Sequence, residues 1–257
     1  MQNWSDPFKE YLTPSQLLGF VAHAAEEYVL VKKLPADSLI YRARQQKADE
    51  ILSTPYDFGP PPLERAIRSN RMSPAGIVMF YGSDDAGTAI AEIDDNPSLG
   101  IWVGTFRTAR PALILDLTAL PRRYRFFEIE PDSSDADRYA IEFLHSFVES
   151  MAAKVERGDR EHVDYVPTQV VTEYFRTTFR HAGSTIDGIR YFSAQRPKGK
   201  SLVLFGDQAN IVLHQADVEQ ITRSGECEAW QLNMWKEKAW LELIDKQRVR
   251  PPVARKD

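Results

Sequence analysis

Three polar residues sit close together in the stretch "NRMSPAGIVMFYGSDDAGTAIAEI": Arg71, Tyr81 and Glu92. Arg71 to Tyr81 spans 10 residues and Tyr81 to Glu92 spans 11. A guanidinium offers forked donors matched to phosphate or carboxylate. A tyrosine brings a ring that can stack and a hydroxyl that can take one partner. A carboxylate stabilises positive charge as it develops. Together these types suit the binding and cleavage of a charged small molecule without help from a metal. Taken singly, each has an ordinary structural reading. A helix glutamate is usually solvated, an arginine before a turn is usually exposed, and a tyrosine ending a buried strand usually belongs to the core.

The elements around these residues can be read from periodicity. A Ser-Pro-Ala-Gly turn follows Arg71. "GIVMFYG" is a continuous apolar run bounded by turns, the pattern of a buried strand, with Tyr81 at its end. Beyond it, Ala86, Ala89, Ile90 and Ile93 recur at i, i+3, i+4 and i+7, one face of a helix. At ~100° per residue, Glu92 falls at the edge of that stripe and can look into a cleft where core meets solvent.

Composition bounds the rest. The chain has 257 residues, 43% hydrophobic and 27% charged, which fits one large globular domain better than two small ones. A net charge of -5 argues against a nucleic-acid surface. The single cysteine, Cys227, excludes an intrachain disulfide, and the five histidines are scattered without zinc spacing. "MQNWSDPFKEYL" lacks a basic stretch followed by an apolar core, and no apolar run approaches the ~20 residues of a bilayer span, so a soluble cytoplasmic protein is expected. No GxxxxGK[ST], GxGxxG after a strand, HExxH or GxSxG occurs.

Further along, Thr13 with Pro14 and Gln16 makes a capping box for a helix expected to run to about Lys33. Residues 1–36 are therefore expected to be an N-terminal helical extension, 37–210 the main domain, and 211–257 a C-terminal segment packed on it. "SLIYRAR", "GIWVGTFRT", "ALILDL", "IDGIRYFSA", "SLVLFG" and "NIVLHQ" read as strands. "LERAIRSN" reads as a short helix, and "SDADRYAIEFLHSFVESMAAKVERG" and "VPTQVVTEYFRTTFRHAG" as long ones. "STPYDFGPPP" is too turn-rich for regular structure. "RVRPPVARKD" reads as a frayed basic tail. Strands and helices do not alternate regularly, which favours an α+β fold with largely antiparallel sheets.

The joint pattern resembles the RES domain family, named for its Arg, Glu and Ser. "NRMSPAG", "VMFYGS" and "TAIAEI" are similar to the family's turn, its strand ending in tyrosine and its glutamate helix. "IYRAR" looks like the opening strand, with Arg42 as its arginine. "YVPTQVVTEYF" resembles the family's helix start, and "IDGIRYFSA" the strand whose serine is Ser193. Asn70 and Met72 depart from the glycine and tryptophan common in the family turn. In all, the resemblance covers about residues 38–206.

The resemblance implies curved, ADP-ribosyltransferase-like sheets around an NAD cleft. It also implies an enzyme that consumes NAD by phosphorolysis or hydrolysis, as the toxin of a toxin–antitoxin pair. Glu92, Arg71, Tyr81 and Ser193 are then the catalytic set, with Arg42, Arg71, Tyr81 and Ser193 holding NAD as substrate. No cofactor or metal is implied; inorganic phosphate is a candidate co-substrate. An Xre-type antitoxin and a homo-oligomer are the implied protein partners, with no direct nucleic-acid or membrane contact. The alternatives are an ADP-ribosyltransferase acting on a protein with the same site, and a catalytically idle module that keeps only the fold. Thr168 and Gln169 are expected to open a helix and are given no chemistry, while Tyr165 and Tyr191 could line the pocket or the core.

Overall fold

The computed structural model describes residues 13–67, 69–70, 72–93, 96–123, 135–152, 165–207, 211–212 and 241–250. Its framework is a nine-stranded sheet. In chain order the strands are β1 (Val31–Leu34), β2 (Leu39–Gln46), β3 (Phe80–Ser83), β4 (Gly100–Thr108), β5 (Ala112–Asp116), β6 (Gly188–Phe192), β7 (Lys200–Leu204), β8 (Ile211–Val212) and β9 (Leu241–Arg250). In space they run β1-β5-β6-β7-β3-β2-β4-β9-β8. Only β5–β6 and β8–β9 pair in parallel. The α+β expectation with a largely antiparallel sheet therefore holds. The helices are α1 (Pro14–Glu27), a single turn α2 (Pro55–Phe58), α3 (Ala86–Ile93), α4 (Asp135–Ala152) and α5 (Val166–Glu173).

Period-two alternation sorts the side chains of each strand onto two faces. Phe80, Leu202 and Leu204 join Ile40, Phe106, Ile114, Leu243 and Phe58 in one cluster. Val203, Ile189 and Leu115 turn the other way, beneath α1, α4 and α5 through Val21, Ile141, Leu144, Val171 and Phe175. α3 builds a third cluster, Ala89 packing on Ala43 and Val103, with Ala86, Ile90 and Ile93 around it. That is the stripe read from its sequence. Burial of this apolar area at roughly 25 cal/mol per Å² is the main force holding each helix to the sheet.

One junction in the sheet is incomplete. β2 pairs with β4 over eight positions, from Leu39↔Arg107 to Gln46↔Gly100. With β3 it shares one position, Tyr41↔Ser83. Beyond that pair β2 and β3 part.

Five local expectations need correction. The first helix stops at Glu27, and Val31–Leu34 is a strand on β5, from Val31↔Leu115 to Leu34↔Ala112. Val29 breaks the helix with a φ of 49°, and the β-branched Val31 is better served by a pleated ladder. "STPYDFGPPP" holds one helical turn, α2, steadied by Asp57 accepting from the backbone of Ser53 and Thr54. The helix expected in "LERAIRSN" is a 3₁₀ turn, Leu63–Arg65. The basic tail is not frayed from its start: Arg248 and Arg250 close β9, which pairs with β4 from Leu241 to Arg250. α5 ends in a π turn, Tyr174–Thr178, rather than running to Gly183.

Candidate active site

Of the residues singled out by sequence, Tyr81 and Glu92 meet on the face of the sheet that carries α3, where the α3 cluster adjoins the large helical core. A cavity of about 290 Å³ opens there. Its lining includes Tyr41 and Arg42 from β2, Tyr81 from β3, Glu92 from α3, Tyr191 from β6 and Ser201 from β7. Cross-strand register explains its floor. Tyr41 lies opposite Ser83, Ser83 opposite Ser201, and Ser201 opposite Tyr191. Opposed residues share a face, so four hydroxyl-bearing side chains form one row across four strands.

Glu92 rises over this row from the last turn of α3, exposed. Its Oε1 accepts a hydrogen bond from Ser193 Oγ at 2.5 Å and one from Ser201 Oγ at 3.2 Å. Ser193 is in turn fixed by its own turn. Its Oγ accepts from the backbone of Gln195 and Arg196, both at 3.1 Å, and its N–H donates to Gly199 at 2.8 Å.

This turn is docked on the opposite end of α3. Arg196 donates to the carboxylate of Asp85 and to Thr88 Oγ1. Asp85 caps the helix by accepting from Thr88 N and Oγ1. Burial works against the Asp85 charge, but the hydrogen bonds from Thr88 and Arg196 outweigh it and hold the carboxyl below its usual range. Gly199 makes the approach feasible, since a Cβ there would lie 2.6 Å from Thr88 Oγ1. The helix carrying Glu92 and the turn carrying Ser193 are thus tied together at both ends of the helix.

Tyr81 is half-buried, and its hydroxyl meets Ser73 Oγ at 3.1 Å. Burial pushes the phenol up to about 12, against the pull of Ser73 and the charge of Arg42, so it is protonated at any physiological pH. Ser73 also accepts from Asn70 Nδ2 at 3.3 Å. The Asn70 carbonyl accepts from Gln169 Nε2 at 2.8 Å, across 99 residues of chain. Gln169 and Thr168 are both buried. Thr168 bonds back to the Tyr165 carbonyl, as expected of a helix-opening residue, but Gln169 does more than cap. It ties α5 to the turn that precedes β3.

Arg42 occupies the gap between β2 and β3. One of its nitrogens donates to the Tyr81 carbonyl at 3.0 Å, and its guanidinium carbon lies 5.2 Å from the Phe80 ring centroid. The side chain thus stands in for a ladder hydrogen bond that the parting strands do not make. Burial, and then the charge of Arg44, lower it to about 10, where it is still fully charged at neutral pH.

The structure therefore gathers Arg42, Tyr81 and Glu92 around one cavity, with Ser193 at its rim. Arg71 lies outside the described residues, as does Cys227. Tyr191 lines the cavity; Tyr165 is not among its lining residues. The sequence reading passed over Ser201 and Ser73 and gave Gln169 only a helix-opening role. The signal for Ser201 was a lone hydroxyl opening the apolar run "SLVLF". A larger hollow, about 430 Å³, is lined by Pro61, Gly76, Ile77, Arg176 and Phe205 and holds none of the candidate residues. The hydrogen-bonded Glu92 carboxylate lines the smaller one. Among the described residues no group of three His, Cys, Asp or Glu could hold a metal.

The family model of the RES domain matches residues 39–224. The chain belongs to the RES domain family. RES membership supports an NAD-related role and NAD-processing activity in general terms. The RES match begins at Leu39 and ends before β9, so α1, β1 and β9 are additions of this chain to the matched segment. No curated protein and no solved structure matches the chain. No helix among the described residues is long and apolar enough to cross a membrane.

Proposed function

We propose that this RES protein cleaves the nicotinamide–ribose bond of NAD, by phosphorolysis or hydrolysis, and acts as a toxin restrained by an Xre-type antitoxin. The observation that carries the reading is the Glu92 carboxylate, anchored by Ser193 and Ser201 and presented beside Tyr81 and Arg42. In NAD the leaving group is a pyridinium. It departs as neutral nicotinamide, taking the C1′–N bonding pair, so no general acid is needed. The sugar left behind is oxocarbenium-like, and a fixed carboxylate stabilises it electrostatically. Phosphate or water then supplies the oxygen that forms the new bond to C1′.

The remaining roles follow from chemistry. Arg71, next in sequence to the cavity-lining Asn70, and Arg42 are assigned to the pyrophosphate, for which a forked guanidinium is suited. The Tyr81 ring stacks on the nicotinamide or ribose and excludes water. Ser193 orders the carboxylate.

The test is incubation with NAD labelled on the adenylate phosphate, with and without inorganic phosphate. Loss of NAD that requires phosphate identifies phosphorolysis, and loss without it identifies hydrolysis. Label on protein would instead identify ADP-ribosyl transfer from the same site. Glu92→Gln should lower turnover by at least about a hundredfold, the loss associated with removing a major electrostatic stabiliser. The same substitution should relieve any growth arrest in cells expressing the chain. No turnover by wild type in any arm, with or without a co-expressed partner, would refute the reading.

A further inference from the structure

Ser201 is an unusual residue for its place. It lies on β7, a central strand of apolar sequence, and is 2% exposed. A buried hydroxyl without a partner is costly, and serine gains nothing there from packing. Among the described residues its side chain has one partner, Oε1 of Glu92, across 109 residues of chain. Ser193 donates to that same oxygen. Among the described residues Oε2 has no hydrogen bond, and Glu92 is exposed to the cavity.

We propose that Ser201 is a positioning residue for Glu92. Two hydroxyls, one from the rim and one from the floor, pin Oε1 and thereby fix the rotamer that offers Oε2 to the substrate sugar. A single hydroxyl would leave the carboxylate free to pivot about the Ser193 bond. The second one, held by a rigid central strand, removes that freedom before substrate arrives. Such prepayment of orientation raises the rate of the chemical step rather than the affinity. The inference rests on the reading of Glu92 as the reacting carboxylate, but its geometric part can be tested without turnover.

In the full-length chain, Ser201→Ala should lower kcat by about tenfold, the worth of one hydrogen bond to a charged group, with KM for NAD little changed. Ser201→Thr keeps the hydroxyl and should recover most of that loss. Ser201→Cys, close in volume with a weaker donor, should fall between serine and alanine and covers the case in which threonine does not fit. Side-chain ¹³C couplings of Glu92, assigned with Glu92→Gln, give a second readout. They should report one rotamer in wild type and averaging in Ser201→Ala, whether or not NAD is consumed. If wild type leaves NAD intact, the reading of the reaction falls and the couplings alone decide on Ser201. A single unchanged rotamer in Ser201→Ala overturns the proposal, as does unchanged kcat in that variant where Glu92→Gln is inactive.

Discussion

Replacing Arg42 tests the link between the parted strands and the site. Methionine there keeps an unbranched stem over Phe80 but removes the donor that meets the Tyr81 carbonyl at 3.0 Å. An unmet carbonyl between two strands costs about 1–3 kcal/mol. Loss of the guanidinium over the ring adds about 0.5–1 kcal/mol. Relief from burying a charge, visible in the lowered value of about 10, works the other way. The net loss should therefore be about 1–3 kcal/mol, or a fall in Tm of roughly 2–12 °C for a chain of this size. Lysine at the same position keeps a charge and a donor, so Arg42→Lys should melt between wild type and Arg42→Met. It offers a point charge in place of a fork, so its kcat/KM for NAD should still fall severalfold. Differential scanning calorimetry and initial rates measure both. A Tm for Arg42→Met within about 1 °C of wild type would mean that the guanidinium does not hold the gap. Wild-type kcat/KM in Arg42→Lys would remove Arg42 from substrate binding.

Two further predictions concern the Tyr81 side of the cavity. Gln169→Leu removes the amide that holds the Asn70 carbonyl and should lower Tm by roughly 2–8 °C, from about 1–2 kcal/mol, while also reducing kcat/KM; an unaltered Tm and rate would make the α5 contact incidental. Tyr81 is raised by burial from 10.0 to about 12 in the folded chain, so the stability it contributes is complete below pH 10 and is lost as pH rises toward 12; a difference titration at 295 nm between wild type and Tyr81→Phe should show the missing tyrosine ionising near pH 12, and ionisation near pH 10 would contradict its burial.

What could be read from the sequence followed from periodicity and motif. The α3 stripe, the edge position of Glu92, and the strands β2, β4, β5, β6 and β7 are local patterns, and each appears where the pattern put it. The grouping of Ser193 with Glu92 in one site came from a resemblance, and their hydrogen bond is visible only in the fold, since nothing local joins two residues 101 positions apart. Ser201 and Gln169 were not legible because their importance lies in what they touch across the fold. A serine opening a strand and a glutamine in a first helical turn both have sufficient local explanations. β9 was missed for a different reason. Its first half, Leu241 and Leu243, is buried, but from Ile244 onward it is exposed, and its charged residues look like a tail. From Ile244 onward it is held by backbone pairing with β4 and by single contacts such as Arg248 over Trp102, neither of which shows as an alternation of apolar residues.

That pairing bears on how the chain folds. β4 is flanked by β2 from upstream and by β9 from far downstream, as in Ile101↔Arg250, 149 positions apart. Long loops must close before such contacts contribute, and topologies of high contact order fold slowly. Until β9 arrives, β4 has an open edge of unpaired N–H and C=O groups, a template for the wrong strand. A fragment limited to residues 39–224 would lack β9, the strand that covers that edge, although it includes Arg42, Tyr81, Glu92, Ser193 and Ser201. The matched segment is therefore shorter than the sheet that surrounds its motif residues.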